Sequence, residues 1–219
     1  MIYFIISYSV FLFAYFFTRV SGNIKYRAIN KYILATMYLV YSIVMYHKNS
    51  YGGNYYVLMA ALFLAFLGDF FLVFDLNRGG DFFLAGNVCF STFYLSILIN
   101  NFVPFKKYFY IFIIWLFLIV LFIIFSNKFK DVIKLGKMKY PMAFYLSSIT
   151  LHGLLGLITA ILIQTTPFII MGIGSLSFMI SDYILTVDRF IIPNNKWIIR
   201  LNSLTYFGGL LLIVLSLGL

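Results

Sequence analysis

Long apolar runs broken by short polar or basic stretches recur along the whole chain of 219 residues. Runs long enough to cross a bilayer, about 20 residues each, fall at about 2-20, 31-47, 55-75, 82-100, 105-126, 141-163, 167-187 and 200-218. They are continuous rather than alternating, so they do not read as barrel strands, and an open sheet could not satisfy its backbone groups in lipid. The pattern predicts an all-α membrane protein, an eight-transmembrane-helix bundle forming a single transmembrane domain over 1-219.

Composition agrees with the pattern. Hydrophobic residues make up 63% and charged residues only 10%, with a mean hydropathy of +1.02, whereas soluble domains carry roughly a quarter charged residues. The first run has neither a basic segment before it nor a small-residue cleavage site after it, so it is expected to be a retained helix and not a signal peptide. A single cysteine, Cys89, excludes an intrachain disulfide.

The net charge of +10 acquires meaning from its placement. With the N-terminus outside, the cytoplasmic side receives Arg19, Lys25, Arg27, Lys31, Arg78, Lys128, Lys130, Lys134, Lys137, Lys139, Arg189, Lys196 and Arg200. Only Lys48, Lys106 and Lys107 fall on the other side. The positive-inside rule then predicts both termini outside, and the expected setting is a multi-pass protein of a bacterial-type cell membrane. The loop "NKFKDVIKLGKMKYP" at 127-141 could also attract anionic headgroups, at about 1 kcal/mol per basic residue. No polar domain is present to bind nucleic acid.

Against this background two acidic positions stand out. "AFLGDFFLVFD" at 65-75 and "FMISDYILTVDRF" at 178-190 each embed an aspartate, Asp69 or Asp182, and each has a second aspartate six positions on, Asp75 or Asp188. If Asp75 and Asp188 mark the inner boundary, Asp69 and Asp182 lie roughly 9 Å deeper on parallel helices. The following helices add Asn87, Ser91 and Tyr94 on one face, and Asn202 and Tyr206 on another. The expectation is a polar layer near the inner leaflet, and two parallel four-helix halves would explain the echo. Gly86, Gly172, Gly174, Gly208 and Gly209 fall in the same helices, where small residues allow close packing.

An ionisable residue at the centre of a membrane helix costs at least ~2.5 kcal/mol and usually serves a function. The alternative is that the aspartates pair with donors such as Asn87 and Asn202 and simply hold the bundle together.

At these residues the chain resembles the lysoplasmalogenase family, also called YhhN-like membrane proteins. The resemblance rests on "LGDFFLVF" at 67-74, "AGNVCFSTFYL" at 85-95, "GSLSFMISDYILTVDRF" at 174-190 and "LTYFGGLLLI" at 204-213, in that order and spacing. Two departures accompany it. Lys31-Tyr32 stands where a basic-proline pair is common, and Thr92 or Tyr94 stands near the place of a frequent histidine.

The resemblance implies hydrolysis of the vinyl-ether bond of a lysoplasmalogen, a lysophospholipid taken from the membrane, to a fatty aldehyde and glycerophospho-ethanolamine or glycerophospho-choline. Such bonds break when an acid protonates the β-carbon and water captures the oxocarbenium ion. Asp69 and Asp182 are the expected acid and base, because two carboxyls in a poorly hydrated niche share protons unequally. Asn87, Tyr94, Ser181, Asn202 and Tyr206 are candidates for binding the substrate or orienting water.

Other chemistries fit less well. A zinc site needs at least three converging ligands, and His47 and His152 fall in different helices, so no metal or other cofactor is expected. His152 reads as a core residue that could line the pocket with Tyr145 and Ser148. No Gly-x-Ser-x-Gly elbow occurs, and Gly172-Ile173-Gly174 lacks the rest of a phosphate loop. A proton- or cation-coupled transporter using the same aspartates is the main rival. However, the prolines, at 104, 141, 167 and 193, all lie near helix ends and signal no broken helix. A lipid-binding scaffold without turnover is a third reading.

Overall fold

The computed structural model describes residues 1–21, 23–129 and 138–219, except the side chain of Leu76. Within them the chain is 87% helical, with eight α-helices and no strand. In order these are α1 (Ile2–Thr18), α2 (Ile24–Lys48), α3 (Tyr55–Phe71), α4 (Leu76–Asn100), α5 (Phe105–Lys128), α6 (Lys139–Ile163), α7 (Thr166–Phe190) and α8 (Lys196–Leu215), followed by a 3₁₀ turn at Ser216–Gly218.

Six of them, all but α1 and α3, are long and apolar enough to cross a membrane. Helices α1 and α3 are apolar but have 17 residues each, or about 25 Å of rise. Of the eight helices, six are therefore full-length spans by length and composition and two are shorter.

Helix starts also differ from expectation, for a consistent reason. Helix α2 begins at Ile24 rather than 31, α4 at Leu76 rather than 82, and α8 at Lys196 rather than 200. Each opens in polar sequence behind an Asn or Asp whose side chain accepts from two backbone N–H groups: Asn23, Asp75 and Asn195. Such caps satisfy the orphan donors of a first turn. Apolar runs show where lipid begins, not where helical hydrogen bonding begins.

Two sequence assignments change as a result, and a third lies outside what the structure describes. Lys31 is not a loop residue but lies two turns into α2 and is buried. Asp75 is the cap of α4, whereas Asp188 lies inside the last turn of α7. The basic loop expected to meet anionic headgroups includes residues 130–137, which lie outside the described residues.

Helix pairing follows a repeat. Helix α1 packs on α2, α2 on α3 and α3 on α4, just as α5 packs on α6, α6 on α7 and α7 on α8; α4 meets α6 as α8 meets α2. Adding four to each helix number reproduces the set, except for the packing of α1 on α8. Helix α5 is peripheral, with Tyr108, Ile111 and Ser126 its buried residues. It is tied to α6 by Trp115 Nε1 donating to Ser147 O at 2.9 Å.

The core seams use glycine for close approach. A Cβ on Gly209 would stand 2.7 Å from Gly174 O, and one on Gly174 the same distance from Gly209 O, so α7 and α8 meet backbone to backbone. At Gly172 a Cβ would meet Gly156 O at 2.7 Å on the α6 side, whereas nothing lies within 4 Å of Gly208. Gly208 is therefore no packing contact.

Candidate active site

Asp69 lies in the last turn of α3 and is 1% exposed. Lys31 of α2 brings Nζ to 3.1 Å from its Oδ1. Tyr206 of α8 donates to Oδ2 at 2.8 Å and Tyr38 of α2 at 3.4 Å. Lys31 meets Oδ1 as an ion pair without hydrogen-bond alignment, so that oxygen accepts no hydrogen bond among the described residues.

Asp182, two turns before the end of α7, is 4% exposed. Tyr145 of α6 donates to its Oδ2 at 2.5 Å, and Ser181 Oγ lies 3.4 Å from Oδ1 while also donating to Phe178 O at 2.7 Å. The two aspartates are built alike but have different partners. Each is held by the helix that precedes its own in the chain, yet Asp69 faces an ammonium and Asp182 faces hydroxyls.

Both line one cavity of about 470 Å³, within the range of small-molecule sites. It lies at the end of the bundle where α1 and α7 finish and where α4, α6 and α8 begin. Asn202 and Tyr206 also line it; Asn202 donates Nδ2 to Ser181 O at 2.7 Å, which leaves its amide oxygen free of that bond. Phe144 lines it too and is 67% exposed, so the cavity reaches the outer face of α6. A wider groove of about 660 Å³, lined by residues of α1 and α2 such as Met37 and Val44, contains no carboxylate.

The other candidates lie elsewhere. Asn87, Tyr94 and Ser181 are buried but do not line the cavity. Asn87 and Tyr94 belong to a deeper polar chain centred on His152 and packed among α4, α6 and α7. His152 Nδ1 is 3.3 Å from Asn87 Oδ1, and Nε2 is 3.1 Å from Ser175 Oγ, which pairs with Tyr94 OH at 2.6 Å. Asn87 Nδ2 donates to Ser148 Oγ at 3.4 Å, and Phe90 stacks on the imidazole with centroids 4.3 Å apart. Accordingly, neither Asn87 nor Asn202 is the partner of an aspartate.

The family model described as YhhN family matches residues 26–217. The chain belongs to the YhhN family. This is the family of lysoplasmalogenase-like proteins, and the match takes in both aspartates and every helix around them except α1. No curated protein and no solved structure matches the chain.

In this YhhN-family chain, Lys31, Tyr38 and Tyr145 as aspartate partners were not evident in the sequence. In sequence Lys31 reads as one more cytoplasmic charge, and Tyr38 and Tyr145 are two of 18 tyrosines. One signal was present. Lys31 precedes Asp69 by nearly the same interval as Tyr145 precedes Asp182, so the echo extends to the preceding helices.

Proposed function

We propose that the chain is an intramembrane hydrolase that cleaves the vinyl-ether bond of lysoplasmalogens, with Asp182 as acid and Asp69 as base. Family membership supports the class of reaction. The observation that carries the mechanism is that the two aspartates line one cavity with unlike partners. A neighbouring cation favours the charged carboxylate, so Asp69 beside Lys31 is the base. Asp182, held by neutral hydroxyls, carries the proton.

Asp182 donates its proton to the β-carbon of the vinyl ether, leaving an oxocarbenium ion that the Asp69 carboxylate stabilises. Water then adds to the α-carbon and gives a proton to the Asp69 carboxylate. The resulting hemiacetal collapses as its carbon–oxygen bond to glycerol breaks. Asp69 returns a proton to the glycerol oxygen, and the hemiacetal hydroxyl returns one to Asp182. One water is consumed, aldehyde and alcohol leave, and both carboxyls are restored. Tyr206 positions Asp69, and the Asn202 amide oxygen orients the water or a glycerol hydroxyl.

In this reading all eight helices cross the membrane as one transmembrane unit, the shorter α1 and α3 included, with both termini outside and the cavity mouth cytoplasmic. The fourfold shift in helix pairing supports two parallel halves, each supplying one carboxylate. Lipid enters past Phe144.

The test is release of free aldehyde from a lysoplasmalogen by purified protein in detergent. Asp182→Asn, and Asp69→Asn measured on its folded fraction because it strands Lys31, should each lower it by at least about 100-fold. Full activity in both variants ends the proposal, and ion flux in liposomes without aldehyde release assigns the aspartates to transport instead.

A further inference from the structure

The cavity holds charges that the hydrolysis does not use. Arg19, the C-cap of α1, and Arg189, in the last turn of α7, line it, as does Asp81 in the second turn of α4. Ion pairs among the described residues join Lys31 to Asp69 and Arg78 to Asp75; Arg19 and Arg189 belong to neither. Arg19 Nε is buried without a hydrogen-bond partner. A donor enclosed in this way calls for an acceptor, and Arg19 is one of the residues that line the cavity.

Resting on the lysoplasmalogen reading, we propose that this mouth is a headgroup subsite, in which Arg19 and Arg189 hold the phosphate and Asp81 faces the ammonium of ethanolamine or choline. A guanidinium offers a planar fork that suits phosphate oxygens. Arg19, the more enclosed of the two, carries most of the binding; Arg189 and Asp81 are exposed and act through screened charge.

The spacing suits the substrate. Arg189 follows Asp182 by seven residues on one helix, roughly 10 Å along the axis, which an arginine side chain and a glycerol backbone span together. The phosphate then stays at the membrane surface while the vinyl ether reaches the aspartates. Cations and a carboxylate side by side at the mouth complement a zwitterion better than a purely anionic or uncharged head.

Binding tests this without turnover. Thermal unfolding of the purified full chain in detergent is followed with lysophosphatidylethanolamine, an ester-linked analogue, and separately with lysophosphatidic acid, monoacylglycerol, glycerophosphoethanolamine and inorganic phosphate. Arg19→Gln should raise the apparent Kd for lysophosphatidylethanolamine at least about tenfold and leave that for monoacylglycerol within about twofold. Asp81→Asn should weaken lysophosphatidylethanolamine but not lysophosphatidic acid. Where Arg19→Gln does not fold, Arg189→Gln, at an exposed position, carries the same comparison with a smaller effect.

Equal losses for the phosphate-bearing and phosphate-free lipids overturn the subsite, as does stabilisation reproduced in full by inorganic phosphate or glycerophosphoethanolamine. Headgroup discrimination without aldehyde release keeps the subsite and refutes the hydrolysis. Aldehyde release without discrimination does the reverse.

Discussion

Lys31 and Asp69 form an ion pair between α2 and α3, Nζ to Oδ1 at 3.1 Å, with side chains 10% and 1% exposed. Removing one member of a buried pair strands the other charge, at a cost of about 3–5 kcal/mol, whereas replacing both with neutral groups can be nearly neutral. Lys31→Met should therefore destabilise the protein by about that amount, and Lys31→Met combined with Asp69→Asn should recover most of it. Denaturant unfolding in detergent measures both. Additive losses in the double variant would mean that the pair is not coupled.

Two tyrosines reach the same oxygen of Asp69 at different distances, Tyr206 at 2.8 Å and Tyr38 at 3.4 Å. A hydrogen bond to a charged group contributes about 1.5–3 kcal/mol, and the contribution falls as the geometry lengthens. Tyr206→Phe is expected to cost stability in that range and to lower kcat, while Tyr38→Phe costs less of both. Unfolding midpoints and aldehyde release measured on the same preparations give the ranking.

Neighbouring glycines in α8 should respond in opposite ways. A Cβ at position 209 meets Gly174 O at 2.7 Å, while position 208 opens to free space. Gly209→Ala should destabilise by about 1–3 kcal/mol through overpacking. Gly208→Ala should be neutral or stabilise by up to about 1 kcal/mol through helix propensity. Comparing the two unfolding curves is enough.

His152 has partners on both ring nitrogens and lies outside the cavity lining. His152→Leu leaves Asn87 and Ser175 each short of a partner, at roughly 1–3 kcal/mol apiece. Because a general acid or base must come within hydrogen-bond reach of the substrate, kcat of the folded fraction should change by less than about threefold. A loss of about 100-fold at intact stability would instead place His152 in the reaction.

Several features could be read before any fold was known. Asp69 and Asp182 were conspicuous because charge is rare in an apolar run, and their matched surroundings suggested that they belong at one depth. Tyr206 and Asn202 followed from helical spacing, and both line the cavity. By the same spacing rule Asn87 and Tyr94 were also candidates, but they face His152 and Ser175 instead. Periodicity assigns residues to a face of their own helix; it does not say which neighbour that face will meet.

Local patterning was sufficient for the helical class, the membrane setting and the two acidic positions, because each depends on the cost of exposing polar groups to lipid over a few turns of chain. The partner of each acid was beyond its reach. Lys31 and Tyr145 became unlike partners of Asp69 and Asp182 only when α2 packed on α3 and α6 on α7, since a contact between helices depends on rotation and depth that no single segment encodes. The same assembly brought Arg19 and Arg189, far apart in the chain, to the lining of one cavity.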